Sequence, residues 1–202
     1  MALLVPILSY EDLRSKADAL LSKHHPSGAV PVPIEQIVEF DFDIQIIPVP
    51  GLQRVHEIDA FSSQDFEAIM IDRSVMESHS PYRYHFSLAH ELAHAVLHRD
   101  VQRQLSFKTA DDWKRAVASI SEKDREWFEW QAYSFAGLFL VPNAALRNSL
   151  ADAVGAAEKQ GFSLRQYPDP SKDYVCSFLG RTFEVSSQVI SKRIDKDGLW
   201  PP

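Results

Sequence analysis

Residues 85–98, HFSLAHELAHAVLH, limit the folds open to this chain more than any other stretch. Leu88, Ala89, Leu92, Ala93, Val96 and Leu97 recur at helical spacing and would cover most of a helix surface with apolar side chains, so this helix has to lie inside the protein. Yet the same stretch holds four of the chain's eight histidines, and Glu91 as well. A carboxylate buried on such a helix without partners costs several kcal/mol. The fold must therefore both bury the helix and supply partners for its polar groups.

The spacing indicates what those partners are. His90 and His94 are four residues apart, on one helix face and about 6 Å from each other, so both imidazoles can reach one ion. Glu91, turned about 100° away, can lie beside a water on that ion without being a ligand. The HExxH pattern arises by accident in roughly 2% of chains of this composition, so its apolar setting has to carry the reading. A catalytic zinc takes three protein ligands and keeps one position open. His98 lies about 12 Å along the axis from His90, too far to share a tetrahedral ion, and is expected to serve as a cation at the helix C-terminus beside Arg99. Cys176 and the remote His56 have no positional support as ligands. Glu129, on a second predicted helix, is followed on its own face by the small residues Ala132, Ala136 and Gly137, which let two helices approach. Glu126, one turn earlier, faces a similar direction; periodicity prefers Glu129 without excluding it.

Composition narrows the rest. With 202 residues, 45% hydrophobic and 24% charged, the chain has the make-up of one soluble globular domain, or one with a small appendage. A single cysteine excludes an internal disulfide and a thiolate-rich zinc site, so a metal must be held by His and carboxylate. No apolar run approaches the roughly 18 residues of a spanning helix, and the opening MALLVPILSY lacks a basic region and is broken by Pro6, so a cytoplasmic location is expected. A net charge of −7 repels phosphate backbones and argues against direct nucleic-acid binding. The C-terminal segment 181–202 sets Arg181, Lys192, Arg193 and Lys196 against Glu184, Asp195 and Asp197, a net of +1 that is too weak for phosphate binding; it reads as a packing element or a partner surface.

Along the chain, residues 10–25 place Leu13, Ala17, Leu20 and Leu21 on one face of an amphipathic helix. PIEQIVEF predicts a short helix, and FDIQIIPV, IDAFSS and EAIMID predict strands, giving a small antiparallel sheet ahead of the histidine segment. Ser80 as N-cap and Pro81 at the first helical position would start the histidine helix. VQRQLSFKTADD is polar and weakly periodic, suiting a mobile connection. Ser121 and Asp124 resemble a capping box opening a helix that runs to Pro142. Beyond it, short helical pieces and a hairpin around YVCSFLGRTFEV are expected.

Three segments, in order, carry a resemblance. RYHFSLAHELAHAVLH resembles the RxRFTxAHELGHxxLH of ImmA/IrrE-type metallopeptidases, EWQAYSFAGLFLVP resembles their ExEANxFAxxLLMP, and FEVSSQVISKRIDKDGL is similar to their FxVSxxxxxxRLxxLGL. The match spans about residues 30–200. The resemblance implies an α+β fold: a mostly helical zincin-like domain with a small antiparallel sheet before the HExxH helix, occupying residues 1–142, and a helical and hairpin subregion at 143–202 packed on the same domain. It also implies a zinc-dependent, thermolysin-like endopeptidase that cuts a helix-turn-helix repressor to release stress or mobile-element genes, with manganese as the alternative metal. By matching position, His90, His94 and Glu129 become the ligands and Glu91 the general base. Tyr133 stands where the family usually has Asn, and His85 where it commonly has Arg, while Arg83 matches.

Glu91 would take a proton from water as it attacks a peptide carbonyl and pass it to the leaving amine. Tyr82, Arg83 and Tyr133 are the candidates to steady the oxyanion. A peptide could add as a strand along IDAFSS or EAIMID. The alternatives are a zinc-stabilised module that binds a regulator without cutting it, a hydrolase of non-peptide substrates, and the protease toxin of a toxin–antitoxin pair.

Overall fold

Ser9 starts the first helix by a reciprocal cap: its hydroxyl accepts from the Asp12 amide at 3.2 Å, and the Asp12 carboxylate accepts from the Ser9 amide at 2.8 Å. The helix α1 (Tyr10–His24) buries Leu13, Ala17 and Leu21 as its periodicity requires. The computed structural model of the protein describes residues 5–161 and 168–200; the parts of the expected 1–142 and 143–202 regions outside those ranges are not described. After α1 come α2 (Ile34–Gln36), which continues as a widened turn over Ile37–Asp41, β1 (Gln45–Val49), α3 (Leu52–His56), β2 (Ala60–Ser62), β3 (Ala68–Asp72) and α4 (Arg73–Met76). The helices α5 (Tyr82–Leu97), α6 (Arg99–Gln102), α7 (Ala110–Ala118), α8 (Glu122–Leu140), α9 (Asn143–Lys159), α10 (Pro168–Phe183) and α11 (Ser187–Lys196) complete the chain.

The class is α+β, with many helices and one small sheet ahead of the HExxH helix, as expected. The sheet is mixed rather than antiparallel. Its order is β1-β3-β2: β1 runs parallel to β3 with Gln45 opposite Ala68, and β2 runs antiparallel to β3 with Ala60 opposite Ile71. Parallel pairing needs a long crossover, and the segment holding α3 and β2 supplies it, carrying the chain past β3's place before it returns.

The HExxH helix is buried as its apolar surface demands, with Leu88, Ala89, Leu92 and Ala93 fully inside. Its main neighbour is α8, which contributes the buried Ala132, Phe135, Ala136 and Phe139 to the same core. Burying each large side chain contributes about 1.5–3 kcal/mol, which fixes the two helices face to face. Leu146, Val175, Leu179 and Ile190, from α9, α10 and α11, belong to this core too.

Several local expectations are corrected. Pro81, not Ser80, occupies the cap position of α5, and no side chain caps that end. The expected hairpin at YVCSFLGRTFEV is the C-terminal part of α10 and its turn into α11; Val175, Cys176, Leu179, Gly180 and Phe183 are buried at helical spacing, which outweighs their strand propensity. The connection after α5 is not a bare loop: it forms α6 and α7, and Leu105, Phe107 and Ile120 bury against Leu52, Ile58 and Phe61 in a second apolar cluster, with Trp113 packed on it. Ser121 does cap α8, accepting from the Asp124 amide at 3.2 Å. Gly137, expected to ease contact with the histidine helix, instead faces Val189 and Arg193 of α11.

Candidate metal centre

The face of α5 bearing His90 and His94 meets Glu129 of α8. His90 Nε2 lies 3.1 Å from His94 Nε2 and 3.2 Å from Glu129 Oε2, and one donor atom from each residue falls within 4.8 Å of the others. Donors about 2.0–2.1 Å from a tetrahedral zinc are separated by about 3.3 Å, so the spacing fits one ion held by two imidazoles and a carboxylate. Among the described residues this is the one cluster of at least three His, Cys, Asp or Glu side chains placed to hold a metal. Glu126, the competing carboxylate, is exposed and outside it. Cys176, His56 and His98 are outside it as well.

Burial sets the electrostatics. His94 is held well below the usual histidine range by burial, then by the neighbouring His90 and His98 rings, and so presents a neutral imidazole. For His90 burial acts to lower the pKa, but the hydrogen bond to Glu129 and the charges of Glu91 and Glu129 outweigh it and raise the value. Glu91 is 5% exposed, and its pKa is raised chiefly by burial against the opposing pull of His90 and Ser62. The partner that the sequence reading required for this carboxylate is Ser62 of β2, whose hydroxyl donates to Glu91 Oε2 at 2.7 Å. Nothing in IDAFSS marked Ser62, since only the packing of β2 against α5 brings them together.

His98 corrects a prediction. It is 1% exposed rather than a terminal cation, and burial depresses its pKa to about 4, so its ring is neutral. Its Nδ1 lies 3.0 Å from His94 Nδ1 and its Nε2 3.2 Å from Gln131 Oε1. Phe128 stacks on both His94 and His98, with ring centroids 4.3 Å away in each case. Gln131 and Phe128 flank the Glu129 position, but sequence spacing gave no reason to single them out.

A cleft of about 1290 Å³ opens over His90, Glu91 and Glu129. Ile58, Asp59 and Ala60 line one side, Tyr82, Arg83 and Phe86 belong to α5, and Val189, Lys192 and Lys196 come from α11. The three oxyanion candidates differ in placement. Arg83 is exposed and bound to Asp59, with Nη2 2.6 Å from Oδ1. Tyr82 lines the cleft and is partly exposed. The Tyr133 ring sits 4.5 Å from the His90 ring and stacks on Phe86. His85 lies 3.4 Å from Glu184, which gives the departure from the common Arg a local partner.

The candidate cluster and its setting coincide with a family-level match: the model described as IrrE N-terminal-like domain, Peptidase M78, covers residues 43–195. The chain belongs to the Peptidase M78 family. A solved structure of a Mycobacterium tuberculosis transcriptional regulator shares the fold, with a TM-score of 0.55 at 18% identity over 91% of this chain. This M78 chain spans 46% of that structure's length, so the likeness concerns about half of it. No curated protein matches. Membership suggests a metallopeptidase, and the His90–His94–Glu129 cluster is a candidate metal site of the kind that activity needs. No helix among the described residues is long and apolar enough to cross a membrane.

Proposed function

We propose that this chain is a zinc-dependent endopeptidase whose substrate is a protein, in particular a helix-turn-helix repressor in the cytoplasm. The observation that carries the reading is the convergence of His90, His94 and Glu129 beside a buried Glu91 on the wall of an open cleft. His90, His94 and Glu129 would hold a divalent ion, which would supply Lewis acidity toward a carbonyl oxygen and water. Ser62 fixes Glu91 through Oε2, leaving the carboxylate oriented to accept a proton from the attacking water and to return it to the leaving nitrogen. Of the three candidates to steady the developing oxyanion, Tyr133 is the one we assign, because its ring lies against His90 and its phenol is neutral near pH 7.

Substrate would enter as an extended strand. Of the two strands first considered for pairing, β3 is central and has no free edge, while β2 is at the edge and Ala60 lines the cleft, so β2 is the assigned template. The repressor as target rests on the three matched segments, and the similar solved structure carries the name of a transcriptional regulator, in keeping with that setting.

The test incubates wild type and Glu91→Gln, with zinc and with chelator, alongside a helix-turn-helix regulator encoded nearby. Discrete fragments are expected only from wild type with metal. Cleavage that persists in Glu91→Gln removes the general base from the mechanism. Binding without cutting under every metal tried supports the docking module instead.

A further inference from the structure

Three buried side chains, His94, His98 and Gln131, link the metal centre to a backbone carbonyl of the N-terminal segment. His94 Nδ1 meets His98 Nδ1 at 3.0 Å, His98 Nε2 meets Gln131 Oε1 at 3.2 Å, and Gln131 Nε2 donates to the Pro6 carbonyl at 2.7 Å. The Trp127 indole donates to the same carbonyl at 3.2 Å. Gln131 is 0% exposed and His98 1%, so neither side chain can trade its partner for water without opening the core.

The direction of every hydrogen in this chain follows from its far end. A carbonyl oxygen only accepts, so Gln131 must turn its amide nitrogen to Pro6; the reversed side chain would set two acceptors 2.7 Å apart. Gln131 Oε1 then faces His98 and can only accept, which places the His98 proton on Nε2. A neutral His98 protonated on Nε2 has a lone pair on Nδ1, and so the proton between the two rings belongs to His94 Nδ1. What is left on His94 is an Nε2 lone pair aimed at His90 Nε2 and the Glu129 carboxylate, the form a metal requires. Phe128, stacked on both rings, keeps them from turning.

We propose that His98 and Gln131 are positioning residues that lock His94 in its metal-binding tautomer, with the Pro6 carbonyl as the fixed end of the relay. The inference rests on the metal site of the proposed function but not on proteolysis. Neither residue belongs to the candidate ligand cluster; each acts through the next. The N-terminal segment, far from α5 in sequence, thereby completes the centre, and its distance explains why helix spacing did not disclose the relay.

The test measures zinc affinity by competition with a chromophoric chelator, and unfolding of the metal-free protein as the structural control. Gln131→Met keeps the volume and removes both hydrogen-bonding groups; it is expected to weaken zinc 10–100-fold, the range for loss of such a partner. Gln131→Glu, which can accept from His98 and, when protonated, donate to Pro6, is expected to restore affinity to within a few-fold of wild type. His98→Phe is expected to match Gln131→Met, and the double variant to lose no more than His98→Phe alone, because both act in one chain. A drop in the metal-free melting temperature with zinc affinity unchanged would show a purely structural role and overturn the proposal, as would additive losses in the double variant.

Nitrogen-15 correlation spectra of unmodified protein read the tautomers directly, whether or not a variant folds. Protons on His94 Nδ1 and His98 Nε2 are expected; a proton on His98 Nδ1 refutes the relay. Wild type that binds no zinc would overturn the metal reading and the relay with it, whereas wild type that binds zinc and ignores Gln131→Met overturns the relay alone.

Discussion

Replacing Glu129 by alanine should abolish most of the stabilisation that zinc gives this protein, while Glu126→Ala should leave it intact. At a zinc concentration 100 times the dissociation constant, one site adds about 2.7 kcal/mol to the folded state. For a chain of this size each kcal/mol moves the melting temperature by about 2–4 °C, so wild type should gain about 5–11 °C. Glu129 Oε2 is 3.2 Å from His90 Nε2, as a direct ligand of the same ion would be, and its removal should cost more than the 10–100-fold typical of an outer partner. A hundredfold weaker site at the same zinc concentration gains only about 0.4 kcal/mol, a shift of about 1–2 °C. Glu126 is exposed and outside the cluster, so its variant should keep the whole shift. Thermal scans with zinc and with chelator, on all three proteins in one buffer, give the comparison. A full shift in Glu129→Ala, or a lost one in Glu126→Ala, refutes the ligand assignment.

Three further outcomes are expected away from the ion. Leu92→Ala, which empties a fully buried site on α5, should cost about 2–5 kcal/mol in urea unfolding of the metal-free protein; a loss below 1 kcal/mol would mean the α5 core is loosely packed. Gly180→Ala should destabilise by about 1–3 kcal/mol, because its Cβ would lie 2.8 Å from the Val185 carbonyl oxygen in the turn from α10 to α11, and an unchanged midpoint would contradict that close approach. Asp72 is the third case: burial acts to raise its pKa, but the Ser74 hydroxyl and the Gln53, Ser74 and Val75 amides outweigh it and hold the carboxyl below its ordinary value. A depressed folded-state pKa contributes stability above the unfolded value near 3.9 and loses it as pH falls through the folded one. Asp72→Asn should therefore cost about 1–2 kcal/mol at pH 7 and progressively less below about pH 4; a gap that stays constant with pH would show that the charge is not what Asp72 contributes.

How much could be read from the chain differs between local and distant relations. The helices α1, α5 and α8 were legible because each repeats its apolar residues at helical spacing over three or more turns, and the fold has to bury that face. The strands at β1, β2 and β3 were legible from short apolar runs, but their order was not, because β3 enters between its predecessors only once the crossover through α3 and β2 is laid down. The C-terminal part of α10 was misread because β-branched and aromatic residues there report a half-buried surface, which a helix packed on α9 and α11 provides equally well.

The sequence by itself determined the pair of imidazoles and the neighbouring carboxylate, since a separation of four residues on a helix fixes which side chains share a face. Tertiary structure decided everything that joins separate elements: that Glu129 rather than Glu126 faces the pair, that Ser62 holds Glu91, and that His98 is a neutral link to Gln131 and Pro6 instead of a surface cation. The physical reason is that helical periodicity acts over a few residues and specifies direction within one element, whereas contacts between elements depend on which apolar faces pack together, and it is that packing that removes water and fixes the charge state of each buried group.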